Sequence, residues 1–290
     1  MVDRSNQSAN EYQFDWQNPN LKKFDFGRMM SRAFNGALYF GQNFWLPLIL
    51  IIGVPFFLIG LWPMFIADGA YSDLIIDGDL EGFSGIFTPI NTALLILGGL
   101  AFVVIMVVFY IAMSHNIFGY YNGAPPSFQE SMARGKKRFW VTLGASILFM
   151  LGAIIGLVLL IIPGFILIFG WYIMTPVIAV EDKGAVSSLS RAWELSKGSK
   201  RWVLLFYIIL IVISMISGVV FTLIALPFGN STTALLEGAS TTYWIVSALG
   251  GAVNQIVVTL LTVAGLTSIY YEVRDMKEGI NQEKLSAIFD

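Results

Sequence analysis

The chain has no cysteine and a single histidine among its 290 residues. Without cysteine there is no disulfide framework, no thiolate metal site and no thiol chemistry. Charge is scarce too. Only 12% of residues are charged against 56% hydrophobic, which is too apolar for an ordinary water-soluble domain of this length. No glycine-rich phosphate cradle, His-Glu-x-x-His pair or Gly-x-Ser-x-Gly elbow occurs. The most informative absence is of cations. No lysine or arginine lies between Arg32 and Arg134, between Arg138 and Lys183, or between Arg201 and Arg274.

The seventeen cations fall instead in four short segments, ending at Arg32, Arg138, Arg201 and Lys284. Each cation-free gap holds two hydrophobic runs, so every basic segment can occupy one side of a bilayer, the side of synthesis. A helix crossing the hydrocarbon needs about 20 apolar residues. Such runs read at 43–66, 92–114, 140–161, 164–181, 202–227 and 243–271, with Ile162-Pro163-Gly164 as a tight turn between the third and fourth. The first run lacks a small-residue cleavage site and reads as an anchor.

The expectation is an all-α, polytopic integral membrane protein of six transmembrane helices in three hairpins, with cytoplasmic interfacial amphipathic helices. Residues 26–274 form the membrane domain, and polar tails at 1–25 and 275–290 place both termini in the cytoplasm. Asp68, Asp73, Asp77, Asp79, Glu81 and Glu237 fall in the outer loops, 67–91 and 228–242. The remaining acids share the inner face with all the cations, which leaves it cationic and suited to anionic headgroups.

A weak repeat organises the spans. Ser31-Arg32-Ala33-Phe34 precedes Phe44-Trp45, Ser131-Met132-Ala133-Arg134 precedes Phe139-Trp140, and Ser190-Arg191-Ala192-Trp193 precedes Arg201-Trp202. Each stretch reads as an interfacial helix leading into a hairpin. In the third, Val186, Leu189 and Trp193 share a helical face, with Arg191, Glu194 and Lys197 turned elsewhere. In the first, Phe26, Met30, Ala33, Phe34 and Ala37 do the same. The bland alternative is that any cytoplasmic loop between spans tends toward basic and aromatic ends.

Pro163-Gly164, Trp171, Pro176-Val177-Ile178-Ala179-Val180-Glu181, Gly184, the run from Ser190 to Gly198, Trp202 and the closing Ile269-Tyr270-Tyr271-Glu272-Val273-Arg274 carry a family pattern. They resemble the membrane domain of bacterial glycerophosphoryl diester phosphodiesterases. The specific part covers residues 163–202, and the first two spans match mainly in hydropathy. The resemblance implies a six-span fold in the bacterial inner (plasma) membrane, which occurs fused to a soluble catalytic domain or, as expected here, alone. That catalytic domain uses paired histidines and metal-binding carboxylates, and this chain has one histidine. No reaction is implied.

No charge lies inside the spans, Glu181 standing at the very end of the fourth, which argues against a proton- or ion-coupled pump. Their strongest polar signal is Asn254-Gln255, after Gly250-Gly251. Buried amides of this kind act as interhelical glue or as ligand contacts. Gly152-x-x-x-Gly156 and Ser214-x-x-x-Gly218 offer close helix approach, while Pro47, Pro55, Pro63 and Pro176 predict kinks. His115, alone at a span end, reads as an interfacial polar residue. Glu181 is expected to pair with Arg191 or Lys197 and so pin the helix that carries Trp193. No cofactor, metal or nucleic acid is expected; the partners are the phospholipid bilayer and a membrane protein or second copy. Two function classes remain: a non-catalytic scaffold or accessory subunit, and a carrier or channel for a small neutral or lipid-like molecule.

Overall fold

The computed structural model describes residues 24–67, 88–159, 161–229 and 240–278. The expected outer loops lie largely outside these residues, as do most of both tails. Everything described is helix or short connection, and no strand occurs among the described residues. Five stretches are long and apolar enough to cross a membrane: Trp45–Trp62, Thr92–Tyr121, Phe128–Val158, Lys200–Phe228 and Thr241–Glu278. This is a helical integral membrane protein.

Helix α1 (Phe26–Asn43) starts at Asp25, whose carboxylate accepts the Arg28 amide at 3.0 Å, a standard N-cap. It ends at Phe44, where the backbone leaves helical geometry. The first span is then built in three pieces: α2 (Trp45–Leu48), a π turn over Ile49–Gly53, and α3 (Val54–Ala67). Pro55 explains the middle piece. It has no amide for the carbonyl four residues back and its ring presses on that group, so the ladder widens just before it. A Cβ on Gly60 would sit 2.9 Å from the Cα of Ala248, and one on Gly53 3.1 Å from Ile256. Span one therefore lies directly against the last helix.

The other elements are α4 (Pro89–Tyr121), α5 (Phe128–Leu159), α6 (Ile161–Trp171), α7 (Met174–Val180), α8 (Ala185–Ser196), α9 (Lys200–Ala225) and α10 (Thr241–Glu278). At 1.5 Å per residue, the 38 residues of α10 extend to roughly 57 Å, against a hydrocarbon core of about 30 Å. Its far end must project beyond the bilayer, and helix continues to Glu278, into the stretch expected as the C-terminal tail.

Three expectations are corrected. The expected span 164–181 is not one helix, because Pro176 cannot donate to the Tyr172 carbonyl; α6 stops at Trp171 and α7 restarts at Met174. Its two pieces give an apolar stretch of only Gly164–Val180. Residues 162–164, expected as a turn, are helical instead: α6 begins at Ile161 and Pro163 occupies its first turn, where proline is tolerated. Finally, the interfacial stretch expected ahead of span three has no break after it: Ser131 to Trp140 is continuous with the span inside α5.

The amphipathic faces follow expectation only in part: Ala33, Ala37 and Leu189 are buried and Phe26 and Met30 pack against the core, but Phe34 and Val186 do not. In α8 the buried residues are Ser188, Leu189, Ala192, Leu195 and Ser196, while Val186 is 71% exposed. In α1 they are Met29, Ala33, Gly36, Ala37 and Phe40, while Phe34 is exposed. Small residues share the inward positions with Met29, Phe40, Leu189 and Leu195, because both helices press closely on neighbours. A Cβ on Gly36 would meet the Tyr121 ring at 2.9 Å, while Phe34 and Val186 are turned out.

Burial concentrates at one end. Every residue of α10 from Val263 to Val273 is buried, with Phe206 lying on Gly265 so closely that a Cβ there would be 1.9 Å from the ring. The opposite halves of α4 and α9 are bare apolar surface, including Leu94, Leu97, Met215 and Val219. Gly152 and Gly156 make close approaches, under the Trp171 ring and against Gly164. Gly218 has nothing within 4 Å, so the second small-residue motif makes no such contact.

Candidate functional site

At the buried end three groups of charges converge. In the first, Glu272 of α10 is 2% exposed and is held by two arginines one turn apart on α1. Arg28 Nε donates to Oε1 at 3.0 Å and Arg32 Nη1 to Oε2 at 2.8 Å. The Arg32 guanidinium also lies 4.4 Å from the centroid of the Tyr271 ring, a cation–π contact. The hydrogen bond to Glu272 holds the Arg28 pKa above its ordinary value. Ser268 Oγ donates to the Met29 carbonyl at 2.8 Å, so α1 and α10 are tied at two successive levels.

The second group caps α7. A helix C-terminus leaves its last carbonyls without intrahelical partners and carries partial negative charge. Two arginines of α5, again one turn apart, take up those carbonyls. Arg134 donates to Ala179 O at 2.9 Å and Val180 O at 3.1 Å, and to Asp182 at 2.8 Å. Arg138, 7% exposed, donates to Ile178 O at 3.2 Å, Glu181 O at 3.1 Å and the Lys183 carbonyl.

The third group surrounds Glu181, which follows α7. Its carboxylate accepts from Arg191 Nε of α8 at 3.2 Å and from the Tyr270 hydroxyl of α10 at 3.0 Å, with Lys183 at 3.3 Å. Arg191 also pairs with Glu278, which Arg274 holds at 2.9 Å. Burial alone would lower the Arg191 pKa, but the hydrogen bond to Glu278 and the charge of Glu181 outweigh it and raise the value. Burial would likewise raise the Glu278 pKa, and the two arginines bring it below the usual carboxylate range.

Of the candidate residues, Glu181 and Arg191 thus meet, whereas Lys197 is exposed at the end of α8 and makes no ion pair with Glu181. Trp193 lies over Gly170 of α6, where a Cβ would meet its ring at 2.3 Å, and carries the Lys200 ammonium 3.2 Å from its centroid. It is a wedge between α6, α8 and the start of α9. Asn254 and Gln255 are not near this hub. Gln255 donates to Thr259 of its own helix at 3.3 Å, and the buried Asn254 Oδ1 has no partner. Neither amide bridges two helices among the described residues. Asn254 instead borders a cleft of about 370 Å³ between α9 and α10, with Thr222, Tyr243, Ser247 and Gly250.

Sequence reasoning missed Glu272, Tyr270, Arg28 with Arg32, and Arg134 with Arg138. One signal was available: both arginine pairs are spaced i, i+4 on a helix entering the bundle, a spacing that presents two cations on one face. What the hub offers chemically is ion pairing and the capping of carbonyls. Every carboxylate in it is matched by an arginine or a hydroxyl. No group of three or more histidine, aspartate or glutamate side chains that could hold a metal occurs among the described residues.

A family model described as "Domain of unknown function (DUF7847)" matches residues 44–273. The chain belongs to the DUF7847 family. The match takes in all the spans, the α5–α7 cap and Glu272, and begins after α1. No curated protein and no solved structure matches the chain.

Proposed function

We propose that this DUF7847 protein is a non-catalytic scaffold or accessory subunit that binds lipids and a membrane-protein partner. In this reading it has six spans in three hairpins, with both termini and the charged hub in the cytoplasm, and it resides in a bacterial inner membrane. The observation that carries the reading is the contrast between the two ends. One is locked by buried ion pairs, while Gly98, Gly99, Gly218 and Gly251 on the other half have nothing within 4 Å. Glycine in a membrane helix serves close packing, and uncovered glycines on bare helix faces are surfaces suited to another helix. The resemblance of residues 163–202 to glycerophosphoryl diester phosphodiesterase membrane domains supports the fold and the location and adds no reaction.

The absence of native cysteine makes the test direct. Gly98→Cys and Gly218→Cys should form adducts with a second copy or another membrane protein on mild oxidation or bifunctional crosslinking in native membranes. The lipid-facing Val158→Cys should not. Adduct formation at all three positions alike, or at none, would remove the partner-binding part. For topology, reporter fusions at Lys136, Lys197 and the C-terminus should read cytoplasmic and those at Gly78 and Ser240 extracytoplasmic. A cytoplasmic signal at Ser240 would overturn the six-span order.

A second reading, a carrier for a small neutral molecule, is favoured by the cleft at Asn254 and its unpartnered oxygen. On this reading Asn254→Leu leaves stability in detergent within about 0.5 kcal/mol, because no protein hydrogen bond is lost, and abolishes stabilisation by native lipid extract. A fall of roughly 0.5–2 kcal/mol without any ligand effect would make the amide packing glue instead. Thermal unfolding with and without extract distinguishes the two.

A further inference from the structure

Two clefts in the spans meet at the same residues. One, of about 290 Å³, is lined by Tyr110, Ser114, Phe149, Tyr172, Thr175 and Thr262 among others. The second, of about 370 Å³, runs along Phe102, Met106, Tyr110, Thr142, Ser146 and Thr175. Tyr110 and Thr175 belong to both, so the clefts join there. Their scale is that of ligand sites, about 300–1,000 Å³. The break between α6 and α7 makes the junction, because it sets Tyr172 and Thr175 where an unbroken helix would present its flank.

The lining combines two properties that rarely coincide at this depth. It contains no charged residue. It does contain hydroxyls that the protein leaves without hydrogen bonds: Ser146, Tyr172, Thr175 and Thr262 make none to another described residue. Their neighbours do find partners. Thr142 Oγ1 donates to the Arg138 carbonyl at 3.0 Å, and Ser114 Oγ donates to Thr267 Oγ1 at 2.8 Å, Thr267 donating in turn to the Val263 carbonyl. The Tyr110 hydroxyl has only a long contact, 3.5 Å, to Thr259. A hydroxyl in hydrocarbon without a partner is costly, so a cluster of them implies something polar in the groove. The nearest cation, Arg138, is turned away to the carbonyls of Ile178, Glu181 and Lys183, so nothing there would receive a phosphate.

We propose that the joined clefts bind an uncharged amphiphile of the diacylglycerol class. Its hydroxyl and ester groups sit among Tyr110, Ser146, Tyr172 and Thr175, and an acyl chain runs along Phe102, Met106 and Phe149. The inference rests on the lipid-binding part of the proposed function alone. It is independent of whether the bare glycine faces recruit a partner.

The test uses the full chain, purified and placed in phosphatidylcholine vesicles that contain a dioleoylglycerol analogue with a photoreactive diazirine in its chain. Labelling should map to peptides of α4 around 102–110 and α5 around 142–149, and unlabelled dioleoylglycerol should compete it away. The matching phosphatidylglycerol analogue should label these peptides much less. Thr175→Val with Ser146→Leu breaks no protein hydrogen bond and should leave the melting temperature unchanged. It should reduce labelling by about tenfold, the worth of one to two neutral hydrogen bonds. Labelling spread evenly over lipid-facing helix surface, labelling unaffected by the double variant, or equal labelling by the phosphatidylglycerol analogue would each overturn the proposal. No labelling by either analogue would mean that water alone fills the groove, which also overturns it. Because the vesicles hold no other protein, a failure here leaves the crosslinking result at Gly98 and Gly218 standing on its own.

Discussion

Replacing Arg28 and Arg32 together by alanine should destabilise the protein by about 3–5 kcal/mol, the cost of leaving a buried carboxylate without its partners. Glu272 is 2% exposed and its two oxygens are divided between these arginines, so neither can be lost without the other carrying the charge alone. The single variants should differ. The Arg28 side chain is 44% exposed, and solvent screening reduces its share. Arg32 is 21% exposed, donates to the second carboxylate oxygen and packs against Tyr271; its removal should account for most of the loss. Glu272→Gln, which keeps the shape and removes the charge, should fall well short of the double alanine variant because the arginines can turn toward water. Unfolding by graded sodium dodecyl sulfate, followed by circular dichroism, measures the order. If the double variant loses under about 1 kcal/mol, the range of an exposed pair, the carboxylate is reached by water and the hub is weaker than its geometry.

The helical, membrane-spanning character of the chain was legible because it depends on composition alone. Three long intervals without a cation, each rich in leucine, isoleucine and phenylalanine, leave no other fold open. Hydropathy is blind, however, to which amide bonds to which carbonyl. Pro176 was visible as a kink, yet one helix ends and another starts there, beside the residues that the two clefts share. Amphipathic periodicity identified α1 and α8 as helices and placed Ala33, Ala37 and Leu189 inward, but it also placed there Phe34 and Val186, which are exposed. Periodicity weighs side chains by size and polarity, whereas the close approach of Gly36 to Tyr121 and of Trp193 to Gly170 rewards small residues inward.

The hub was less legible. Arg28 and Glu272 are 244 residues apart and Arg138 and Ile178 are 40 apart, and no local spacing encodes such partners. The pair at a span end, Glu181 beside Arg191, was readable because the two are only 10 residues apart. For Asn254 and Gln255 the sequence located polarity in a span but could not say that one amide would bond within its own helix and the other not at all.

Arg138→Met should be the most damaging single substitution in the α5–α7 contact, at roughly 3 kcal/mol. The argument counts acceptors. Arg138 is 7% exposed and serves the carbonyls of Ile178, Glu181 and Lys183, which close α7 and lead toward α8. Methionine fills much of the same volume without a donor, so the packing term stays small and the loss is one of unsatisfied carbonyls, each costing about 1–3 kcal/mol when buried. Arg134→Met should cost less, because that side chain is 15% exposed and one of its partners, Asp182, is 68% exposed. Arg138→Lys should recover only part, since an ammonium lacks the planar fork that reaches several carbonyls at once. The consequence should also be local. With its C-terminus uncapped, α7 should fray before the rest of the bundle, and amides of 177–181 should exchange with deuterium faster in Arg138→Met while those of α10 at 263–273 stay protected. Equal acceleration in both segments would mean that the arginine supports the whole bundle and that α7 has no separate dependence on it.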